Sequence, residues 1–216
     1  MPRESFDRDL KELQDEVLIL GSMVEKAIDR SMGALKKRDL NMARQVVADD
    51  SIINQKRFDI EGKCVELIGT QQPMAGDLRI IVAVLHIIVD LERIADYSVG
   101  NARIALIIGD EPPLKPLIDL PRMAERAAEM LHSSLNAFIN RDAAAARQVI
   151  TEDDKVDDLY DQVFRELLTF MMEDPKTVTR ATRLIWVAHN LERSADRVTN
   201  ICERVIFVVT GKMEEV

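Results

Sequence analysis

The chain repeats itself. "DLERIADYSVGN" (90–101) returns as "NLERSADRVTN" (190–200), and "KRDLNMARQVVADD" (37–50) returns as "NRDAAAARQVITED" (140–153). A duplication of this size restricts the fold more than any single motif, because each copy must be one structural unit built to a shared design. Within each copy the apolar residues recur at helical spacing, broken at "GTQQP" (69–73), "GDEPPLKP" (109–116) and "MEDPKT" (172–177). The breaks predict six long helices, near 5–37, 39–69, 74–108, 117–140, 142–172 and 177–210, with Asp39, Asp142 and Thr177 as N-caps. Long helices joined by short connections must be antiparallel neighbours. The expected fold is therefore all-α: two tandem, sequence-related three-helix bundles, residues 1–108 and 117–216, with 109–116 as a linker that the prolines mark as a hinge.

Composition agrees with helices and narrows the function. Of 216 residues, 47% are hydrophobic and only 4% aromatic, and Gly and Pro are few, which favours helix over strand. A net charge of −9 argues against a nucleic-acid partner. The opening "MPRESFDRDL" has no apolar signal core, and the longest apolar stretch, Ile80 to Val89, is interrupted by His86 and too short to cross a bilayer. A soluble, cytoplasmic protein without direct membrane insertion is expected. Cys64 and Cys202 fit neither a CxxC motif nor a disulfide framework and read as core thiols.

Acids stand where a core is expected. At ~100° per residue, Glu92 and Asp96 share a helical face with Leu78, Ile81, Leu85, Ile88 and Val99, and Glu192 and Asp196 continue the stripe of Val178, Ala181, Ile185 and Ala188. One helix earlier, Asp153 and Asp157 line up with Ala146, Val149, Tyr160, Phe164 and Leu167. In an antiparallel hairpin, residues equally far from the turn meet at one height. Counted from Pro175, Asp157 and Glu192 lie 18 and 17 residues away, Asp153 and Asp196 22 and 21. Counted from Pro73, Asn54 and Glu92 are each 19 away, Asp50 and Asp96 each 23. The first hairpin should thus gather Asp50, Glu92 and Asp96, and the second Asp153, Asp157, Glu192 and Asp196.

Gathered carboxylates repel and lose hydration, so they take up protons, pair with Arg or Lys, or bind a cation. On the residues alone, a salt-bridge network drawing on Arg57, Arg93, Arg103, Arg193 and Arg197 stands beside a metal site. Arg93 and Arg193 lie about 100° round the helix from the neighbouring Glu, a poor position for neutralising the clusters, and this favours metal. Oxygen ligation suits Mg²⁺, Ca²⁺, Mn²⁺ or iron; Zn²⁺ is less favoured without a Cys or His set, and no organic cofactor is expected. His189, one turn before Glu192, is either a nitrogen ligand or a packed histidine, while His86 and His132 lie off the stripes. No Glu-x-x-His pair of the ferritin-like kind occurs.

The segments "QQPMAGDLR" (71–79), the twin "LER.AD", "EDDKVDDLYD" (152–161), "FMMED" (170–174) and "ADRVTNICE" (195–203) together resemble the PhoU family of phosphate-uptake regulators over nearly the whole chain. The resemblance implies two tandem three-helix bundles, often homodimeric, whose E(D)xxxD motifs bind metal ions, iron clusters among them. By position these motifs are Glu92 with Asp96, Asp153 with Asp157, and Glu192 with Asp196. Asn54 stands where a second acid would follow Asp50, so weaker or absent metal is expected in the first bundle. Ala95 and Ala195 occupy positions that are often Gly in the family, which speaks against an especially close backbone approach there.

The resemblance further implies a cytoplasmic adaptor, not an enzyme, that links the phosphate ABC transporter ATPase to a sensor histidine kinase and negatively regulates phosphate uptake and the starvation genes. The sequence contains no P-loop, Gly-rich phosphate cradle or G-x-S-x-G elbow. Two other readings are a metal-dependent phosphoester hydrolase, in which a carboxylate-held ion activates water, and a structural helical bundle without metal. Exposed helix faces should dock partner helices, the acidic surface suiting a basic patch on a kinase or ATPase. Of the Met171–Met172 pair, Met171 falls on the core stripe.

Overall fold

The computed structural model describes residues 2–212, and helical periodicity is realised there outside the turns and the 109–118 linker. The helices are α1 (Pro2–Lys37), α2 (Leu40–Gln71), α3 (Ala75–Ile108), α4 (Asp119–Asn140), α5 (Ala143–Ile150), α6 (Asp153–Glu173) and α7 (Val178–Thr210), with a 3-10 turn at Pro175–Thr177 and no strand among the described residues. All six expected helical segments are present, and each copy is an up-down-up bundle.

The duplicated sequence makes duplicated turns. Arg38 and Arg141 both adopt left-handed backbone, with φ of 56° and 52°. The Asp that follows each one caps the next helix. Asp39 accepts from the amides of Asn41 and Met42 at 3.1 and 2.9 Å, and Asp142 from those of Ala144 and Ala145 at 3.0 and 2.9 Å. Side-chain oxygens thereby satisfy amides that have no partner inside the helix.

The segment expected as one helix over 142–172 is divided. At Thr151–Glu152 the chain tightens: the Glu152 amide donates to the Val149 carbonyl at 3.0 Å, three residues back instead of four. Both residues keep helical dihedrals, so the break does not reverse the chain. Its consequence is that Asp153 opens α6. The continuous counterpart in the first copy, α2, hid this break from sequence reasoning.

The two bundles lie side by side. α3 and α7 make the most extensive helix–helix contact in the molecule, α1 packs on α4, and buried residues from both copies form one hydrophobic cluster. Gly100 sits where a Cβ would come within 2.9 Å of Asn190 Nδ2, and that approach lets Asn190 Nδ2 donate to Asn101 Oδ1 at 2.9 Å. Lower on the same seam, Arg197 donates to the buried Asp90 at 3.3 Å. The linker is strapped down and is no free hinge. Buried Lys115 pairs with Glu166, Arg38 donates to the Asp110 carbonyl at 3.3 Å, and Arg180 to that of Pro112 at 3.4 Å.

Asp90 depends on Arg197, Asn200 and Arg204 to offset its lost hydration. Arg197→Met should cost about 1–3 kcal/mol, because it leaves a buried acceptor short of a donor. Asp90→Leu with Arg197→Met should recover part of that loss. Urea denaturation of both variants measures it.

Candidate acidic clusters

The turn before α7 sets the register of the second hairpin. Asp174 accepts from the Lys176 amide at 3.0 Å, and Pro175 leads the short 3-10 segment. Thr177, expected as an N-cap, makes no capping bond to α7. Its hydroxyl donates instead to the carbonyls of Phe170 at 3.0 Å and Asp174 at 2.7 Å, closing the end of α6. The cap role at this turn passes to Asp174.

With that register, α6 presents Asp153 and Asp157 to Glu192 and Asp196 of α7, and the four acids lie in one another's electrostatic field. Burial raises the Asp153 carboxyl to about 6, with further upward pressure from Asp157 and Asp196. Burial likewise raises Glu192 to about 7, reinforced by Asp196 and only partly opposed by Arg193. Asp157 is raised by the same causes, burial first and Asp196 second. Lost water and like charge act in the same direction here.

The first hairpin holds the homologous group on α2 and α3 with more compensation. Asp50 is raised by burial and by Asp96 but pulled back by Arg103 and by the Asn54 amide, which donates to it at 3.3 Å. Glu92 is raised by burial and Asp96, and opposed by Arg93 and Arg57. Asn54, where the repeat would put an acid, has become a donor.

Pairing by arginine is more extensive than the sequence reading allowed. Arg93 donates to Asp96 at 3.2 Å and its Nε lies 3.7 Å from Glu92; Arg193 donates to Asp196 at 2.8 Å. The expectation that these arginines are poorly placed to neutralise the clusters is corrected, since it weighed only the adjacent Glu. A residue three positions on is a helix neighbour within reach of a guanidinium. Arg57 instead pairs with Glu61 at 3.2 Å and lies over the Phe58 ring, and Arg197 serves the seam.

Pairing nevertheless leaves oxygens over. Asp50 Oδ1, Asp153 Oδ1 and Glu192 Oε2 are buried without a hydrogen-bond partner. His189 Nδ1 stands 3.5 Å from Glu192 Oε2, beyond ordinary hydrogen-bond length, while its ring packs between Tyr160 and Trp186. His132 lies elsewhere, against Glu25 at 3.3 Å. Among the described residues, no three His, Cys, Asp or Glu side chains are gathered tightly enough to hold an ion as they stand. The donor set itself, hard carboxylate oxygens with orphaned lone pairs, fits a hard or borderline cation. Cys64 and Cys202 are buried thiols, each pushed up to about 12 by burial, and do not belong to either set.

The model of the PhoU domain matches twice, at residues 17–105 and 120–205. The chain belongs to the PhoU family. A "Phosphate-specific transport system accessory protein PhoU homolog" of Aquifex aeolicus is 38% identical over 206 residues, covering 95% of this chain and 93% of that protein. Its counterpart in Clostridium acetobutylicum is 40% identical, with 98% and 97% covered. The crystal structure of the phosphate transport system regulatory protein PhoU from Streptococcus pneumoniae superposes with a TM-score of 0.91 at 29% identity, covering 98% of this chain and 100% of that one. PhoU from Pseudomonas aeruginosa also gives 0.91, at 35% identity, with 96% and 100% covered. No helix among the described residues is long and apolar enough to cross a membrane.

The raised carboxyls make a pH prediction for this PhoU-family protein. Asp153 and Glu192 bind protons more tightly folded than unfolded, so their contribution to stability is full below the ordinary carboxyl range and is lost as pH rises through about 6 and about 7 respectively. In metal-free buffer, the melting temperature of wild type relative to Glu192→Gln should fall between about pH 4.5 and about pH 7.5. A difference that stays constant over that range contradicts the assignment.

Proposed function

We propose that the protein is a cytoplasmic, non-enzymatic regulator of phosphate uptake that binds metal ions. It acts as an adaptor between the phosphate ABC transporter, through its ATPase, and a sensor histidine kinase, works as a homodimer, and keeps uptake and the phosphate-starvation genes restrained. The observation that carries the reading is similarity along nearly the whole chain to phosphate-specific transport system accessory proteins. Each repeat, 1–108 and 117–216, is one structural unit, with 109–116 between them.

Asp153, Asp157, Glu192 and Asp196 would hold the ion of the second bundle, and Asp50, Glu92 and Asp96 a weaker one in the first. The orphaned oxygens of Asp50, Asp153 and Glu192 support these sets. A bound cation supplies the positive charge that crowded, desolvated carboxylates lack. The residues do the rest. The hairpin turns at Pro73 and Pro175 hold the acids at one height, and Arg93 and Arg193 each tie down one Asp, so the remaining oxygens stay available.

Deleting the gene and assaying alkaline phosphatase in phosphate-rich medium tests the reading. The account expects derepression, reversed by the wild-type gene. Unchanged repression in the deletion strain contradicts it.

A further inference from the structure

One exposed face of α6 is divided lengthwise by chemistry. Its N-terminal half carries Asp154, Asp158 and Asp161, and its C-terminal half Phe164, Leu168 and Met172, all solvent-exposed and spaced to fall along one side of the helix. The apolar half continues onto α7. Phe164 stacks with Tyr160 at 6.3 Å, Tyr160 meets His189 at 6.4 Å, and His189 meets the edge of Trp186 at 6.0 Å. Trp186, the single tryptophan of the chain, is 57% exposed and Met172 84%. An aromatic row open to water beside a run of acids is the composition of an interface, not of a solvated helix face.

The feature belongs to the second copy alone. In the first, Ser51, Gln55, Phe58 and Glu61 take the places of Asp154, Asp158, Asp161 and Phe164, and His86 that of Trp186. No comparable division into halves exists there, so the duplication does not account for the pattern.

We propose that this face of the α6–α7 hairpin docks a basic amphipathic helix of a partner protein, one half of that helix apolar and the other rich in Lys or Arg. Charge complementarity selects this occupant. Arg165 pairs with Asp161 at 3.0 Å, while Lys155 is engaged with Glu152, so the acidic half keeps a net negative charge for the partner to neutralise. A second copy of this chain is a poor occupant. Aligned in parallel, the two faces would oppose aspartate to aspartate; aligned antiparallel, they would bury aspartates against Phe164 and Leu168 without a counter-charge. Asp154, Asp158 and Asp161 lie outside the proposed metal set, so docking and ion binding use different side chains.

The inference rests on the regulatory reading only in supposing a protein partner, and its test needs none of that reading. Trp186 fluorescence of the purified full chain is titrated with a synthetic helical peptide of about 18 residues, ~27 Å long, with leucines along one half and lysines along the other. A peptide of identical composition with the two residue types interspersed on the same face is the control. A saturable blue shift is expected, weakened at least about tenfold with the interspersed peptide, with Phe164→Ser/Leu168→Ser and with Asp154→Asn/Asp158→Asn/Asp161→Asn. All five side chains are exposed, and an unchanged melting temperature confirms that the variants fold. Equal binding of both peptides, or wild-type binding by either variant, overturns the proposal. So does self-association of the free protein that buries Trp186 and is abolished by Phe164→Ser/Leu168→Ser. Failure here would leave the deletion phenotype untouched, so the two readings fail separately.

Discussion

Carboxylates that lose water together on the inner faces of two helix hairpins impose the constraint around which this molecule is arranged. A lone buried acid would be solved by a proton or a salt bridge; several at one height need a collective solution. The turns at Pro73 and Pro175 set the registers of the two hairpins, Asp174 capping the second, and the registers place the acids.

The copies meet this constraint differently. In the first hairpin Arg57, Arg93, Arg103 and the Asn54 amide all oppose the accumulated charge. In the second, four acids face one another with Arg193 as the chief opposing charge, and it is there that the carboxyls are raised furthest, Glu192 to about 7 and Asp153 to about 6. Arg193 also lies beside Tyr97 of α3, across the seam. The same side chain thus holds Asp196 and a residue of the other bundle, which makes the clusters part of the contact between bundles. Asp90 with Arg197 and Asn101 with Asn190 fix the rest of that contact with polar pairs in an otherwise apolar interface.

Much of this was legible in the sequence because helical periodicity and repetition are strong local signals. Helix positions followed from the apolar spacing, and the Asp39 and Asp142 caps from the repeated Arg-Asp. Counting from Pro73 and Pro175 brought the right acids together, since antiparallel pairing converts sequence distance into height. What was missed depends on tertiary placement. Repeat symmetry concealed the break at Thr151–Glu152. Thr177 was read as a cap although its hydroxyl turns back to α6, because donor and acceptor roles of a threonine are not written in its identity. The reach of Arg93 and Arg193 to residues three positions on was overlooked by weighing the adjacent Glu alone. Nothing local marks the α3–α7 seam as the largest contact, for periodicity gives a face without its partner.

Anomalous diffraction at the iron and manganese edges, from crystals of protein purified without chelator, tests the central claim most directly. The account predicts a peak within ~2.0–2.6 Å of carboxylate oxygens of Asp153, Asp157, Glu192 and Asp196, stronger than any beside Asp50. A map without a peak there, with every one of those oxygens met by arginine, lysine or a shared proton, would contradict it.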